Sequence, residues 1–317
     1  MNRGASKWVV TGWHHLSFER PEDWSIGAVS GDFSTGYLRL DDAEMPRFEL
    51  RWERTRGQES ADQVVARYLR NLTGKGGRGG KKAPPVKVRR DLALIKDETV
   101  LADRTVEGFH WRTEGPEPLQ AYGCLWMCEI CGRTVFAQVL GRGGESMMTR
   151  ASRLLNTLDD HARGDTATWA VYGLRIELPA DCVLKHHSFM TGRIELTFQR
   201  GNARLELLRM SLAEMHMEGR TFPDWFQDTY GSEIDVWIDD AGLTGGHPSI
   251  GGTGQGVDPE SVHNHMAWLP WRRPRKKPLS CRGWHCIDGN RIYVLRHLDE
   301  SHRPEFLDEI AGTVVCH

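Results

Sequence analysis

The sequence contains no run of eighteen apolar residues, so it offers no membrane-spanning helix. Its basic start, MNRGASKWVVTGWHHLSF, is followed by no sustained apolar stretch and no small-residue cleavage site, which argues against an export signal. Charge of one sign is lacking as well. The formal net charge is −2, so no global field draws the chain to nucleic acid or to an anionic membrane, and any such attraction must come from local clusters. The seven cysteines are odd in number and unevenly spread, which favours reduced thiols or a metal site over a disulfide framework. Catalytic signatures are missing too: there is no Gly-x-Ser-x-Gly elbow, no His-Glu-x-x-His helix and no Gly-x-Gly-x-x-Gly after a strand. A cytoplasmic protein without catalysis is the expectation these absences leave.

What is present is repetition. The stretch Ala121–Gly141, AYGCLWMCEICGRTVFAQVLG, is echoed by Ser280–Arg296, SCRGWHCIDGNRIYVLR. Laying Trp126 on Trp284 also lays Cys128 on Cys286 and Arg133 on Arg291, 158 positions apart in each case. Both copies alternate apolar and polar residues about a tight turn, the pattern of a hairpin. Three further blocks keep almost the same spacing and the same order. LSFERPEDW at Leu16 is answered by LRIELPADC at Leu174, Thr35–Leu40 by Thr191–Leu196, and Phe48–Trp52 by Leu205–Arg209. At 317 residues there is room for two domains of ordinary size. A tandem duplication is therefore expected, with domains at 1–164 and 165–317 meeting in the polar run that ends at Thr168.

Helical spacing fills matching slots in each half. Val64, Val65, Tyr68, Leu69 and Leu72 form an apolar stripe. Its counterpart is Thr221–Tyr230, with Thr221 as candidate cap and Pro223 in the first turn. Met147, Ala151, Leu154 and Leu158 mark a helix closing the first half, and Phe306, Leu307 and Ile310 one closing the second. The expected fold class is α+β: two tandem repeats, each an antiparallel sheet flanked by helices.

The opening segment Phe18-Glu19-Arg20-Pro21-Glu22-Asp23-Trp24 and the late hairpins Gly132-Arg133-Thr134-Val135-Phe136 and Asn290-Arg291-Ile292-Tyr293 carry a resemblance. Over most of each half the order of elements resembles the PsbP-like fold. The cysteines depart from that family's pattern. The resemblance implies a non-catalytic binding or assembly module.

The sharpest local signal is Cys128-Glu129-Ile130-Cys131-Gly132-Arg133. Two thiolates at a tight turn, with a glycine that tolerates the turn's backbone angle, make half of a zinc site. Cys124 is a candidate third ligand, and Cys281, His285, Cys286 or the pair Cys316 and His317 are candidates to complete the set. The second copy reads Asp288-Gly289-Asn290 where the first reads Ile130-Cys131-Gly132, so the second cysteine is not repeated. Two other readings stand beside zinc: buried structural thiols, and a redox pair whose thiol pKa would have to be depressed.

Two basic stretches come next. Lys75–Arg90 holds seven positive side chains and no acid, Lys75, Arg78, Lys81 and Lys82 among them. Trp268–Pro278 holds Arg272, Arg273, Arg275, Lys276 and Lys277 behind Trp268 and Trp271. Glycine and proline predict exposed loops. Such loops suit phosphates with a ring stacked on a base, a lipid headgroup surface or an acidic protein; the bland alternative is a solvated loop balanced by acids elsewhere. Gly242–Gly256 lacks the Gly-Lys-Ser/Thr ending of a phosphate loop and reads as a mobile loop. His263 and His265 would face one way only on a strand. The functional expectation is a binding or adaptor protein with a protein partner. The runner-up is a zinc-stabilised, nucleic-acid-associated protein, and a thiol enzyme acting through Cys128 and Cys131 is third.

Overall fold

A computed structural model describes residues 7–55, 57, 59–73, 85–257, 275–301 and 303–316. The chain divides into two compact units, Met1–Tyr172 and Gly173–His317. In the first, alternation drives the strands: Phe48, Leu50 and Trp52 are buried while Glu49 and Arg51 between them are less so. Its elements are β1 (Trp8–Trp13), β2 (Leu16–Pro21), β3 (Ser25–Gly31), β4 (Thr35–Asp41), β5 (Pro46–Arg54), α1 (Ala61–Thr73) and β6 (Val86–Arg90). There follow α2 (Glu98–Leu101), β7 (Arg104–Thr113), β8 (Leu119–Cys128), β9 (Arg133–Arg142), α3 (Met148–Asn156) and β10 (Thr166–Val171). Seven strands form one antiparallel sheet in the order β3-β4-β5-β9-β8-β7-β6. β1 lies between β2 and β10, with Gly12 opposite Ala170. Helix α1 turns Ala61, Val65 and Leu69 onto Phe109, Ala121 and Leu125 of the sheet. Val65, Leu69, Phe109 and Leu125 each contribute about 1.5–3 kcal/mol when fully buried.

The second unit holds β11 (Leu174–Pro179), β12 (Val183–Met190), β13 (Arg193–Arg200), β14 (Ala203–Ser211), α4 (Ala213–Met217) and α5 (Phe222–Tyr230). It continues with β15 (Ile234–Ile238), β16 (Leu243–Thr244), β17 (His247–Val257), β18 (Lys276–Cys286), β19 (Arg291–Leu298) and α6 (Pro304–Gly312). Its sheet runs β12-β13-β14-β19-β18-β17-β15, with β16 paired to β17. Element for element, this is the strand order of the first unit's large sheet. The α5 start is the one the sequence predicts: Thr221 accepts a hydrogen bond from the Asp224 amide, and Pro223 sits in the first turn.

The α+β expectation needs correction. Strands account for 53% of the structure and helices for 17%, so the protein is mostly β and not a pair of sheets flanked by helices. The reason lies in stretches whose composition hides strands. Val86–Arg90, expected as the end of a basic loop, is β6, and Lys276–Pro278 opens β18. Gly242–Gly256, expected as a mobile loop, supplies β16 and most of β17. Its glycines are there for close approach. A Cβ on Gly251 would lie 2.6 Å from the Cys281 carbonyl oxygen, one on Gly252 would lie 2.4 Å from Ile234, and one on Gly254 would lie 2.0 Å from the Glu233 carbonyl oxygen.

Candidate metal centre

The hairpin β8–β9 positions the first two donors. Cys128 ends β8, and the Gly132 amide closes the turn by donating to the Cys128 carbonyl at 3.1 Å. Gly132 has φ +63, the left-handed region glycine enters without a Cβ penalty, which brings Cys131 back beside Cys128. The other two donors arrive after α3, where the chain returns across the hairpin end with Asp160 and His161. Ligand atoms of Cys128, Cys131, Asp160 and His161 all lie within 4.8 Å of one another.

Asp160 is fully buried and held from three sides. Trp126 Nε1 donates to its Oδ2 at 2.8 Å, Arg104 donates to Oδ1 at 3.1 Å, and His161 Nδ1 lies 2.8 Å from Oδ1. Burial pushes the carboxyl up, but the Arg104 guanidinium, with Trp126 and His161, outweighs it and holds the group below the usual carboxylate range. Arg104 itself lies over the Trp126 ring and donates to the Leu158 carbonyl. Arg133, fully buried, donates to the carbonyls of His14 at 3.0 Å and Phe33 at 3.2 Å and to that of Asp160. Two arginines thus fix the segment that carries Asp160 and His161.

His161 Nδ1 also lies 3.5 Å from Cys128 Sγ. A proton relay of the Cys-His-Asp kind needs the thiol and the carboxylate on different ring nitrogens, and here both face the same one. Burial first, and then the charge of Asp160, push the Cys128 thiol up to about 11, which is the wrong direction for a nucleophile or a redox cysteine. A divalent cation among the four donors would reverse that cost, because it stabilises both thiolates.

Of the sequence-derived ligands, the structure brings Cys128 and Cys131 together. Cys124 lies four residues up β8, about 13 Å away at strand rise, fully buried with its thiol pushed up to about 12. Cys281 and Cys286 belong to the second unit and, five residues apart on β18, face opposite sides of it; Cys281 sits in the core under α5. His317 lies outside the described residues, as do His263 and His265. Asp160 and His161 were missed. Their signal was the polar triplet Asp159-Asp160-His161 directly after an amphipathic helix, which reads as the start of a linker.

The basic stretches fall mostly elsewhere. Lys75, Arg78, Lys81, Lys82, Trp268, Trp271, Arg272 and Arg273 lie outside the described residues. Of the others, Lys87 pairs with Glu114 at 2.7 Å, Arg90 with Asp62 and Arg275 with Glu300 at 2.7 Å, and Lys276 is exposed at the start of β18. Lys277 is buried, and its Nζ donates to the Asn202 carbonyl at 3.0 Å. Among the described residues no helix is long and apolar enough to cross a membrane.

Comparison with known proteins gives only distant likeness. No family model matches the chain, so the PsbP-like resemblance gains no family match, and no curated protein matches it either. The chain is similar to the apo structure of the immunity protein TplEi of the type VI secretion system from Pseudomonas aeruginosa. There the TM-score is 0.33 and the identity 13%, over 97% of this chain and 96% of that one. It is also similar to a protein from Bacteroides thetaiotaomicron, with a TM-score of 0.27 and 12% identity over 54% of this chain and 53% of that one.

Proposed function

We propose that the protein is a non-catalytic binding protein of two like-ordered units, the first braced by a zinc ion on Cys128, Cys131, Asp160 and His161. The observation that carries this reading is the convergence of four donors, two sulfurs, one nitrogen and one oxygen, within 4.8 Å at the turn end of a hairpin, with Cys128 and Asp160 buried and Cys131 and His161 half-buried. Zinc takes such a mixed set tetrahedrally, and four protein ligands leave no open position for substrate. A closed site of this kind braces the fold, so the protein's work would fall to its surfaces. Two thiolates and a carboxylate carry three negative charges. Zinc leaves one, and Arg104 stands beside Asp160 to offset it. The common strand order of the two large sheets supports descent from one duplicated unit. That ancestry would suit a PsbP-like assembly module.

Metal analysis of untagged protein tests the zinc reading. About one zinc per chain is expected, lost together in Cys128→Ser and Cys131→Ser; less than about 0.2 per chain would end it. The binding reading is tested by isolating the native chain from its host. A protein partner at fixed stoichiometry supports it, and nucleic acid as the sole companion overturns it.

A further inference from the structure

The second unit contains a different cluster. His247 opens β17, Cys286 ends β18, and Cys316 follows α6; their ligand atoms lie within 4.8 Å of one another and all three residues are buried. The surroundings are shaped around the sulfurs. The Gly289 amide donates to Cys286 Sγ at 3.4 Å, and a Cβ on Gly289 would come within 3.2 Å of that sulfur. Gly245, with φ +56, stands where a Cβ would come within 3.0 Å of Cys316 Sγ. Arg291 donates to the Cys316 carbonyl at 3.2 Å and so fixes the segment bearing that cysteine.

The donor set differs from that of the first unit in number and in softness. Three ligands replace four, and there is no carboxylate among them. Soft thiolates suit both zinc and copper(I), but zinc with three protein ligands needs water or substrate in the fourth position, so a closed set of three donors favours copper(I). Ligand bonds of about 2.0–2.3 Å place donors roughly 3.5–4 Å apart, within the spread seen here. We propose that His247, Cys286 and Cys316 form a second metal site, specific for copper(I) as a three-coordinate thiolate–imidazole ion. Binding releases the two thiol protons. The Gly289 N–H donates to the Cys286 thiolate, and the cation offsets one of the two sulfur charges.

The test is anaerobic titration of the full chain with copper(I) against a competing copper(I) chelator, with zinc already supplied. Wild type is expected to retain one copper, and so is Cys128→Ser/Cys131→Ser, which separates this site from the first. Cys286→Ser/Cys316→Ser should lose retention by at least about a hundredfold while keeping its zinc. Equal copper retention in that variant, or loss of copper in Cys128→Ser/Cys131→Ser, would overturn the proposal. Should the Cys286→Ser/Cys316→Ser variant not fold, copper-edge X-ray absorption on wild type decides: two sulfurs and one nitrogen support the site, and a four-coordinate or sulfur-free shell refutes it. A Cys286–Cys316 disulfide in protein that retains no copper under reducing titration also refutes it.

Discussion

Trp126, Cys128 and Arg133 in the first unit have Trp284, Cys286 and Arg291 as counterparts in the second, and each hairpin turns through a left-handed residue, Gly132 or Asn290. Both tryptophans are fully buried, and both arginines donate to the backbone of the segment that follows the closing helix. The frames agree and the donors do not. The first hairpin spends its turn on a second cysteine and meets Asp160 and His161; the second has Asp288 and Gly289 there and meets His247 and Cys316. His247 and Arg104 open the equivalent strands, β17 and β7, so one position supplies a candidate donor in one unit and a counter-charge in the other. Burial and turn geometry set the frame, while residues brought in by returning segments set the chemistry.

The sharpest way to break this comparison is at the arginines. Arg133→Met strips three carbonyls, two of them buried, of a donor and should cost about 3–5 kcal/mol in urea unfolding. Arg291→Met removes longer bonds to Gly173 and Cys316 from a half-buried side chain and should cost less than half as much. Equal losses would mean that the two arginines do the same job. A smaller effect is expected where β1 meets β10. A Cβ on Gly12 would stand 2.3 Å from the Thr168 carbonyl oxygen, so Gly12→Ala should destabilise the first unit by about 1–3 kcal/mol. Ala170→Gly, directly opposite, should cost only about 0.5–1 kcal/mol, read by the same denaturation.

A separate effect is a pH slope. Burial lowers His14 from 6.5 to about 4, so between those values the unfolded chain binds a proton that the fold refuses. Stability of the first unit should fall as pH drops through that window, by at most about 1.4 kcal/mol per pH unit for each histidine so lowered, His14 and His15, and His14→Phe should remove about half of the slope. Tyr172, the residue 158 positions on and also left-handed at φ 49, has no group titrating there. Tyr172→His, at a position about one-third exposed, should leave the profile near that of wild type.

Much of the frame was legible because it is local. Alternation in Phe48–Trp52, the helical stripe at Val65 and Leu69, and the Cys-x-x-Cys-Gly turn each declare themselves within a few residues. The rest depends on what the chain meets. Asp160, His161 and His247 become candidate donors only because the chain after helix α3 and the start of strand β17 deliver them to a hairpin end, which no short window records. Gly251, Gly252 and Gly254 look like a loop because glycine's usual signal is freedom; in β17 they answer to crowding from neighbouring backbone and from Ile234. Lys87 and Arg90 look like a solvated run because their acids, Glu114 and Asp62, lie far along the chain.

Strand β10 has a practical meaning for anyone dividing this chain for expression. A fragment stopped at Gly164, where composition suggests a cut, omits the neighbour that covers one flank of β1. The bared N–H and C=O groups would then recruit other copies edge to edge, and the recombinant piece would precipitate for a reason unrelated to its core. Extending the truncation to Tyr172 keeps that flank closed.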